Sequence, residues 1–345
     1  MNPVIKKLQQ SVADVFIQGL EDGTSQWVKP WTGDTIPALS YNPVSGVQYR
    51  GGNQLILTMA EWKMAMDDLN PGGDRRWMTY KQAASVGAQV RKGQKSQMLV
   101  SYKEIEDRRG IEPGEDPIRR LVAFPFFVFH ASQIDGLPPP KQPQPRLLDE
   151  RMAQAQKIVD DFGVPVISGG NAAFYMPLKD RIFMPDREAF RDDPSWMATL
   201  LHECAHATGH ESRLNRKFSF DRKGEEYARE ELRAEMSSFD MCRRLGVPYD
   251  PSQHIAYVNS WISLLRKDPA ELMRAAADTD RILKFLNVPE LEVEKIPQIA
   301  QEQDQEQVRE KGKAVVERER QEPKTRAVSR PTRNRSKGKA RELVL

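Results

Sequence analysis

The sequence predicts an α+β protein: a mixed α/β N-terminal portion, a mostly helical second portion with a small β-sheet, and a basic tail. Three observations carry this. Apolar residues recur at helical spacing over 5–20 and 148–162, whereas 97–103 and 121–130 read as strands. Gly136 to Pro145 holds Pro138, Pro139, Pro140, Pro143 and Pro145, an extended spacer that marks a boundary. After residue 295 the composition turns to Gln, Glu and Arg, and residues 324–341 carry eight Lys or Arg and no acid. Such a tail has too little apolar surface for a core and is expected to be disordered. The expected division is 1–137, a spacer over 138–147, 148–292, and the tail 293–345.

Composition narrows the class. With 39% hydrophobic and 29% charged residues in 345, the chain reads as soluble. It has no apolar run of the roughly 18 residues that a bilayer crossing needs. The start, Met1 to Lys7, leads into an amphipathic stretch and lacks the apolar core of a signal peptide. A cytoplasmic protein without a membrane partner is expected. Cys204 and Cys242 both fall in predicted helices and build no disulfide framework. The net charge of +3 is mild, so nucleic-acid binding would have to come from how charge is distributed.

In chain order, residues 5–20 form a helix with Ile5, Leu8, Val12, Val15, Phe16 and Leu20 on one stripe. Gln26 to Trp31 suits a loop, and Tyr41 to Gly46 a turn. Tyr49 to Asn53 opens a second helix that runs through Leu55 to Met66, and Thr79 opens another. Val90 to Lys95 is a basic turn before strand 97–103, which pairs with 121–130. Pro125 asks for a bulge or an edge, and 104–120 reads as an exposed, charged excursion. Past the spacer come helix 148–162, a short strand at 164–167, and a hairpin of 173–176 with 181–184. The stretch Asp193-Pro194-Ser195 then starts a helix, with an acid to cap it and proline in its first turn.

That helix carries His202-Glu203-Cys204-Ala205-His206, an H-E-x-x-H motif. Positions i and i+4 share a helix face, so His202 and His206 can offer two imidazoles to one metal ion. Glu203 sits beside that ion as general base. Cys204 points to the other side and packs in the core. A catalytic zinc site takes three protein ligands and an open position. His210 is one candidate for the third, although after Gly209 the metzincin spacing falls on Ser212. The better candidate is Glu231, with Glu235 a turn further on holding the N–H of a histidine, His202 for preference. Glu230 points about 100° away and is expected in solvent. The competing assignment makes Glu231 and Glu235 surface acids answering Arg229 and Arg233. Tyr227, Tyr175 and His210 are candidates to stabilise a transition-state oxyanion. The hairpin over 172–185 offers an edge to an extended peptide.

In the first portion, basic and aromatic residues interleave: Lys29, Trp31, Arg50, Asn53, Arg76, Trp77, Tyr80, Lys81, Arg91, Lys92 and Lys95. Rings for bases and cations for phosphates suit single-stranded nucleic acid, and core tryptophans are the competing reading.

Two blocks together resemble a family. One comprises Tyr49-Arg50-Gly51-x-Asn53, Arg76 to Ala83, Val90 to Gly93, and Gln133 to Leu137. The other comprises Asp180-Arg181-Ile182, Thr199 to Glu203, Thr208 to His210, Arg213-Leu214, and Tyr227 to Glu235. The chain resembles the ArdC-type antirestriction proteins of conjugative plasmids over residues 1 to about 290. The resemblance implies an N-terminal domain binding single-stranded DNA without sequence preference, and a zincin-like domain similar to SprT-type proteases. It also implies protection of incoming DNA from host restriction. One zinc ion per chain and a protein substrate, free or bound to DNA, are expected. The alternatives are a DNA-binding protector whose zinc is only structural, and a SprT-like protease acting on DNA-bound proteins. One departure is His130, where a small polar residue such as Asn is expected.

Overall fold

Helix α1 (Pro3–Glu21) buries Ile5, Leu8, Val12, Phe16 and Leu20, the stripe that the spacing predicts. The computed structural model describes residues 3–22, 39–66, 74–107, 118–141, 146–219, 221, 224–249 and 257–298. Lys29, Trp31, Pro143, Pro145 and the tail from 299 lie outside these residues.

The turn at 41–46 joins a small hairpin of β1 (Tyr41–Asn42) and β2 (Val47–Gln48). The Asn42 side chain closes it by accepting from the N–H groups of Val44 and Ser45 at 3.0 and 3.1 Å. Helix α2 (Gly51–Met66) follows, then β3 (Trp77–Met78) and α3 (Tyr80–Ser85). Thr79 and Gln82 form a capping box at the start of α3. Strand β4 (Gln89–Val90) precedes β5 (Gln97–Asp107), which pairs antiparallel with β6 (Ile118–His130). Strand β3 meets β6 at His130 and Phe129, which gives the order β3-β6-β5, and β7 (Ile134–Asp135) pairs with β4.

The hairpin extends further into 104–120 than its charge suggests. Glu106 stands opposite Arg119, a cross-strand pair of opposite sign. Pro125 sits in the middle of β6, opposite Val100. The N–H and C=O of Val100 both turn away from β6, to the side chain of Asn53 at 2.9 and 2.8 Å. Proline's missing donor therefore costs this ladder nothing.

The second portion begins with α4 (Leu148–Phe162), ended by Gly163 at φ 71°. Strands β8 (Val166–Ser168), β9 (Phe174–Met176) and β10 (Arg181–Met184) form a sheet of order β8-β10-β9, parallel on one side and antiparallel on the other. Four helices follow: α5 (Asp193–Ala207), α6 (Glu225–Leu245), α7 (Val258–Lys267) and α8 (Ala270–Phe285). Asp192 caps α5 by accepting from the Ser195 N–H at 2.8 Å, one residue before the expected acid.

The proline spacer does not divide the packing. One hydrophobic core holds Phe16 and Ile56 from the first portion together with Leu200, Met236, Trp261 and Ile282 from the second. The chain also returns at its end to the first hairpin, where the Ile296 N–H donates to the Pro43 carbonyl at 2.8 Å. Residues 1–298 behave as one unit.

Three residues expected at a DNA surface are structural instead. Arg76 is 4% exposed and Trp77 is 2% exposed. The Arg76 guanidinium binds Asp74 and donates to the Pro138 carbonyl at 2.7 Å. The Trp77 indole donates to Glu61 at 2.8 Å. Asn53 caps the outer edge of β5. The reason is shared: each side chain satisfies a buried polar group that would otherwise lose its hydrogen bond. His130 does the work expected of Asn, its buried Nδ1 accepting from the Ser132 N–H at 3.1 Å while Nε2 faces the Asp74 carbonyl at 2.9 Å. Burial lowers its pKa.

Replacing Asn53 with Ala strands the Val100 donor and acceptor. A destabilisation of about 1–3 kcal/mol is expected, read as a lower urea midpoint, whereas Arg50→Ala on the exposed pair with Glu290 should change it by less than about 1 kcal/mol.

Candidate metal centre

The two histidines are presented by α5 and met by carboxylates from α6. Ala205 and Ala234 are both fully buried, and such small side chains let two helices approach closely. His202 Nε2 and His206 Nε2 lie 3.1 Å apart. Glu231 completes a triangle, with its oxygens 3.6 Å from each imidazole Nε2. A tetrahedral ion with bonds of about 2.0–2.1 Å separates its ligand atoms by about 3.3 Å, so the triangle has the right size for one. Among the described residues these three form the cluster able to hold a metal ion.

The far nitrogens are each backed by an acid. His202 Nδ1 lies 3.4 Å from Glu235, and His206 Nδ1 lies 3.3 Å from Glu230. This fixes both imidazoles with Nε2 forward. Glu230 is a correction: it is buried, not solvated. Arg216 binds it through two nitrogens, at 2.9 and 2.7 Å. Glu235 accepts in turn from the Tyr249 hydroxyl. Arg229 and Arg233 do not answer Glu231 and Glu235; they turn to Glu271 and Asp278 of α8. Arg216 and Tyr249 carried no signal in the sequence, because each comes from a non-helical segment with no periodicity to place it.

Charge makes the cluster a cation site. Four glutamates (203, 230, 231 and 235) are buried around two imidazoles, and Arg216 neutralises one of them. Burial alone would lower the His202 pKa, but hydrogen bonds donated to Glu231 and Glu235 raise it well above 6.5. His206 is raised in the same way, chiefly by the charge of Glu231 against its own burial. Burial would raise the Glu231 carboxyl, yet the charge of His206 and the hydrogen bond to His202 take it down to about 2. Glu203 Oε2 is buried with no hydrogen-bond partner among the described residues, an acceptor kept for something beside the triangle.

Residues around the triangle hold it in place. Arg213 donates to the Ala207 carbonyl at 2.7 Å, and Arg216 to the Ala205 carbonyl at 2.8 Å, so two cations satisfy the C-terminal end of α5. A side chain at Gly209 would collide with Phe218 and Arg216, at 2.7 and 2.9 Å from its Cβ. This close approach, rather than a turn toward a third histidine, explains the glycine. His210 stays outside the cluster, with its Nδ1 2.8 Å from the Ser212 hydroxyl. Tyr175 is tied to Asp180 and Arg213, at 2.8 and 3.1 Å. Tyr227 touches Glu231 and lies 3.2 Å from the Tyr257 hydroxyl.

The chain is similar to known proteins over both of its portions. Residues 153–278 match the family described as zincin-like metallopeptidase, and residues 6–129 match the N-terminal domain of anti-restriction factor ArdC. The crystal structure of the antirestriction ArdC protein from plasmid R388 is 32% identical and superimposes with a TM-score of 0.64, covering 81% of this chain and 97% of that one in its Mn(II)-bound form. This chain belongs to the ArdC antirestriction family.

Other relatives extend the family. The y4eC protein of Sinorhizobium fredii (strain NBRC 101917 / NGR234) is 32% identical over 299 residues, which cover 84% of this chain and 94% of that protein. Two Escherichia coli proteins named DNA primase TraC are each 39% identical, over 297 and 306 residues. The match covers 81% and 83% of this chain but only 20% and 27% of the primases.

At the surface of the ArdC-like half, Tyr80, Lys81, Lys92 and Lys95 are exposed. Arg91 is exposed and pairs with Asp135 at 3.0 Å, and Arg50 pairs with Glu290.

The titration of the triangle has a checkable sign. In metal-free protein, the raised His202 pKa gives stability that is fully present below about pH 6.5 and lost as pH rises through the folded value. The depressed Glu231 gives stability present above about pH 4.5 and lost as pH falls toward 2. A divalent ion takes the place of the imidazole protons, so the rise in Tm on adding Zn2+ should grow between about pH 6 and pH 8. A rise that does not depend on pH would show that the imidazoles are not the ligands.

Proposed function

We propose that this protein is an antirestriction factor that binds single-stranded DNA without sequence preference and hydrolyses peptide bonds at a zinc centre held by His202, His206 and Glu231. The observation that carries the second half is the orphaned Glu203 carboxylate beside a tetrahedral-sized triangle of ligands. His202, His206 and Glu231 would hold a divalent ion, which would supply a nucleophilic water near neutral pH and polarise a carbonyl. Glu203 accepts the water's proton and passes it to the leaving amine. Glu235 and Glu230 hold the imidazoles in one tautomer. Of the oxyanion candidates, Tyr227 is favoured: it borders Glu231, whereas Tyr175 is engaged by Asp180 and Arg213 and His210 faces Ser212.

The R388 protein has been solved Mn(II)-bound and metal-free, and both forms match this chain with a TM-score of 0.64. A fold that persists without its ion favours a chemical role for the metal over a purely bracing one. Relatives named DNA primase fit a module that works beside single strands. Exposed Lys81, Lys92 and Lys95 supply charge for phosphates. Action inside the recipient cytoplasm, on a protein that DNA brings to the site, follows from this reading.

Glu203→Gln should retain one zinc per chain and bind single strands as before, while hydrolysis of a casein substrate, with single-stranded DNA present, falls by at least about 100-fold. If that variant still protects transferred DNA in cells, the protein is a DNA-binding protector and proteolysis is not its means. Replacing Lys81, Lys92 and Lys95 together by Ala should flatten the slope of log affinity against log salt by up to about 2.

A further inference from the structure

Among the described residues the most exposed aromatic side chains all lie in the ArdC-like half: Tyr102 at 58%, and Phe127 and Tyr80 at 52% each. They line up. Strand alternation places Phe129, Phe127 and Pro125 on one face of β6, and Tyr102, opposite Ala123, continues that face onto β5. Tyr80 packs edge-on against Phe129, with ring centroids 6.5 Å apart. The row therefore runs Tyr80, Phe129, Phe127, Pro125, Tyr102. Val100 on the same face is buried, so the exposed row follows β6 and crosses to β5 only at Tyr102.

Its spacing and edge are informative. Same-face neighbours on a strand are about 7 Å apart, twice the ~3.4 Å rise of nucleic acid, so one base fits between successive side chains. Strand β3 pairs with β6 at residues 129 and 130; over 122–127 the described residues give β6 a partner on the β5 side only. Among the described residues, no strand pairs with that outer edge, along which a chain could lie.

Charge tells what kind of chain. The loop leading into β5 carries exposed Arg91, Lys92 and Lys95, and Lys81 follows Tyr80. The Gln133 side chain, just past β6, donates to the Lys95 carbonyl at 2.9 Å and so holds this loop against the Phe129 end of the row. Asp135 is occupied by Arg91. Beyond Tyr102, Glu104 and Glu106 stand opposite Leu121 and Arg119 and close the row with acid. A cationic approach to a bounded row of rings fits a polyanion that carries flat, apolar groups.

We infer that the Tyr80–Phe129–Phe127–Tyr102 row is the base-stacking platform for single-stranded nucleic acid, with Lys81, Lys92 and Lys95 beside it on the phosphates. The inference rests on the DNA-binding reading above and replaces Arg76 and Trp77 with residues at the surface.

The test is fluorescence anisotropy of the full chain with labelled oligothymidylate, and with an abasic oligonucleotide of equal length, at two salt concentrations. Phe127→Ala and Tyr102→Ala should each weaken oligothymidylate binding by about 5- to 150-fold without altering the salt slope. Tyr102→Phe, which keeps the ring, should bind like wild type. Wild type should bind the abasic strand about as weakly as the double Ala variant does. Undiminished binding by folded Phe127→Ala and Tyr102→Ala variants overturns the platform and leaves the DNA reading standing. No single-strand binding by wild type overturns both. Should the two Ala variants instead abolish self-association in sedimentation with DNA binding intact, the row is a contact between copies of the chain and the inference fails.

Discussion

The structure depends on one electrostatic constraint: α5 and α6 bring Glu203, Glu230, Glu231 and Glu235 into one interior around two imidazoles. A buried carboxylate without a partner costs several kcal/mol, so this arrangement persists only when positive charge is supplied. Arg216 supplies one charge permanently. The remainder comes from protons on His202 and His206 or from a divalent ion, and the opposite shifts of the histidines and Glu231 express that demand. The helices pack through their shared apolar core and enclose, within that packing, a site that calls for a cation.

That constraint reaches the whole unit because α6 has two occupied faces. One carries the glutamates toward α5; the other sends Arg233 to Glu271 and Asp278 of α8 at 2.7 Å each. Helix α8 also packs against α2 of the ArdC-like half. Gly51, at the start of α2, comes so near α8 that a Cβ there would lie 2.9 Å from Asp280. The ArdC-like half and the zincin-like half therefore share a wall, and a change in the tilt of α6 would reach α2 through α8.

How far the sequence could be read follows the same physics. His202, His206, Glu231 and Glu235 were legible because helical periodicity alone puts i and i+4 on one face. Glu230 was misread for the same reason: a helical wheel gives an angle, and what stands at that angle is Arg216, delivered by an irregular segment. Arg76 and Trp77 look like nucleic-acid residues by type. What buries them is Glu61, Asp74 and the Pro138 carbonyl, and no local pattern links those partners. Asn53 likewise reads as a nucleic-acid residue among its basic and aromatic neighbours, while its task lies 47 positions away at Val100. The proline run marked a seam between two matched families, but composition says nothing about whether cores on either side of a seam merge.

The motif residues that are not ligands show what such a seam protects. Asp180, Thr208, Gly209 and Arg213 do not belong to the triangle. They meet at the C-terminal end of α5. Asp180, in a left-handed turn at φ 46°, binds Arg213, which holds the Ala207 carbonyl. Thr208 accepts from Arg216 at 2.8 Å, and Gly209 leaves room for that guanidinium. Arg216 then reaches Glu230, and Glu230 reaches His206. A metal site tolerates about 0.5 Å of error in its ligands, and His206 lies in the last turn of its helix, where an unsupported end would fray. The residues around the motif are therefore accounted for by the need to stop that last turn from moving.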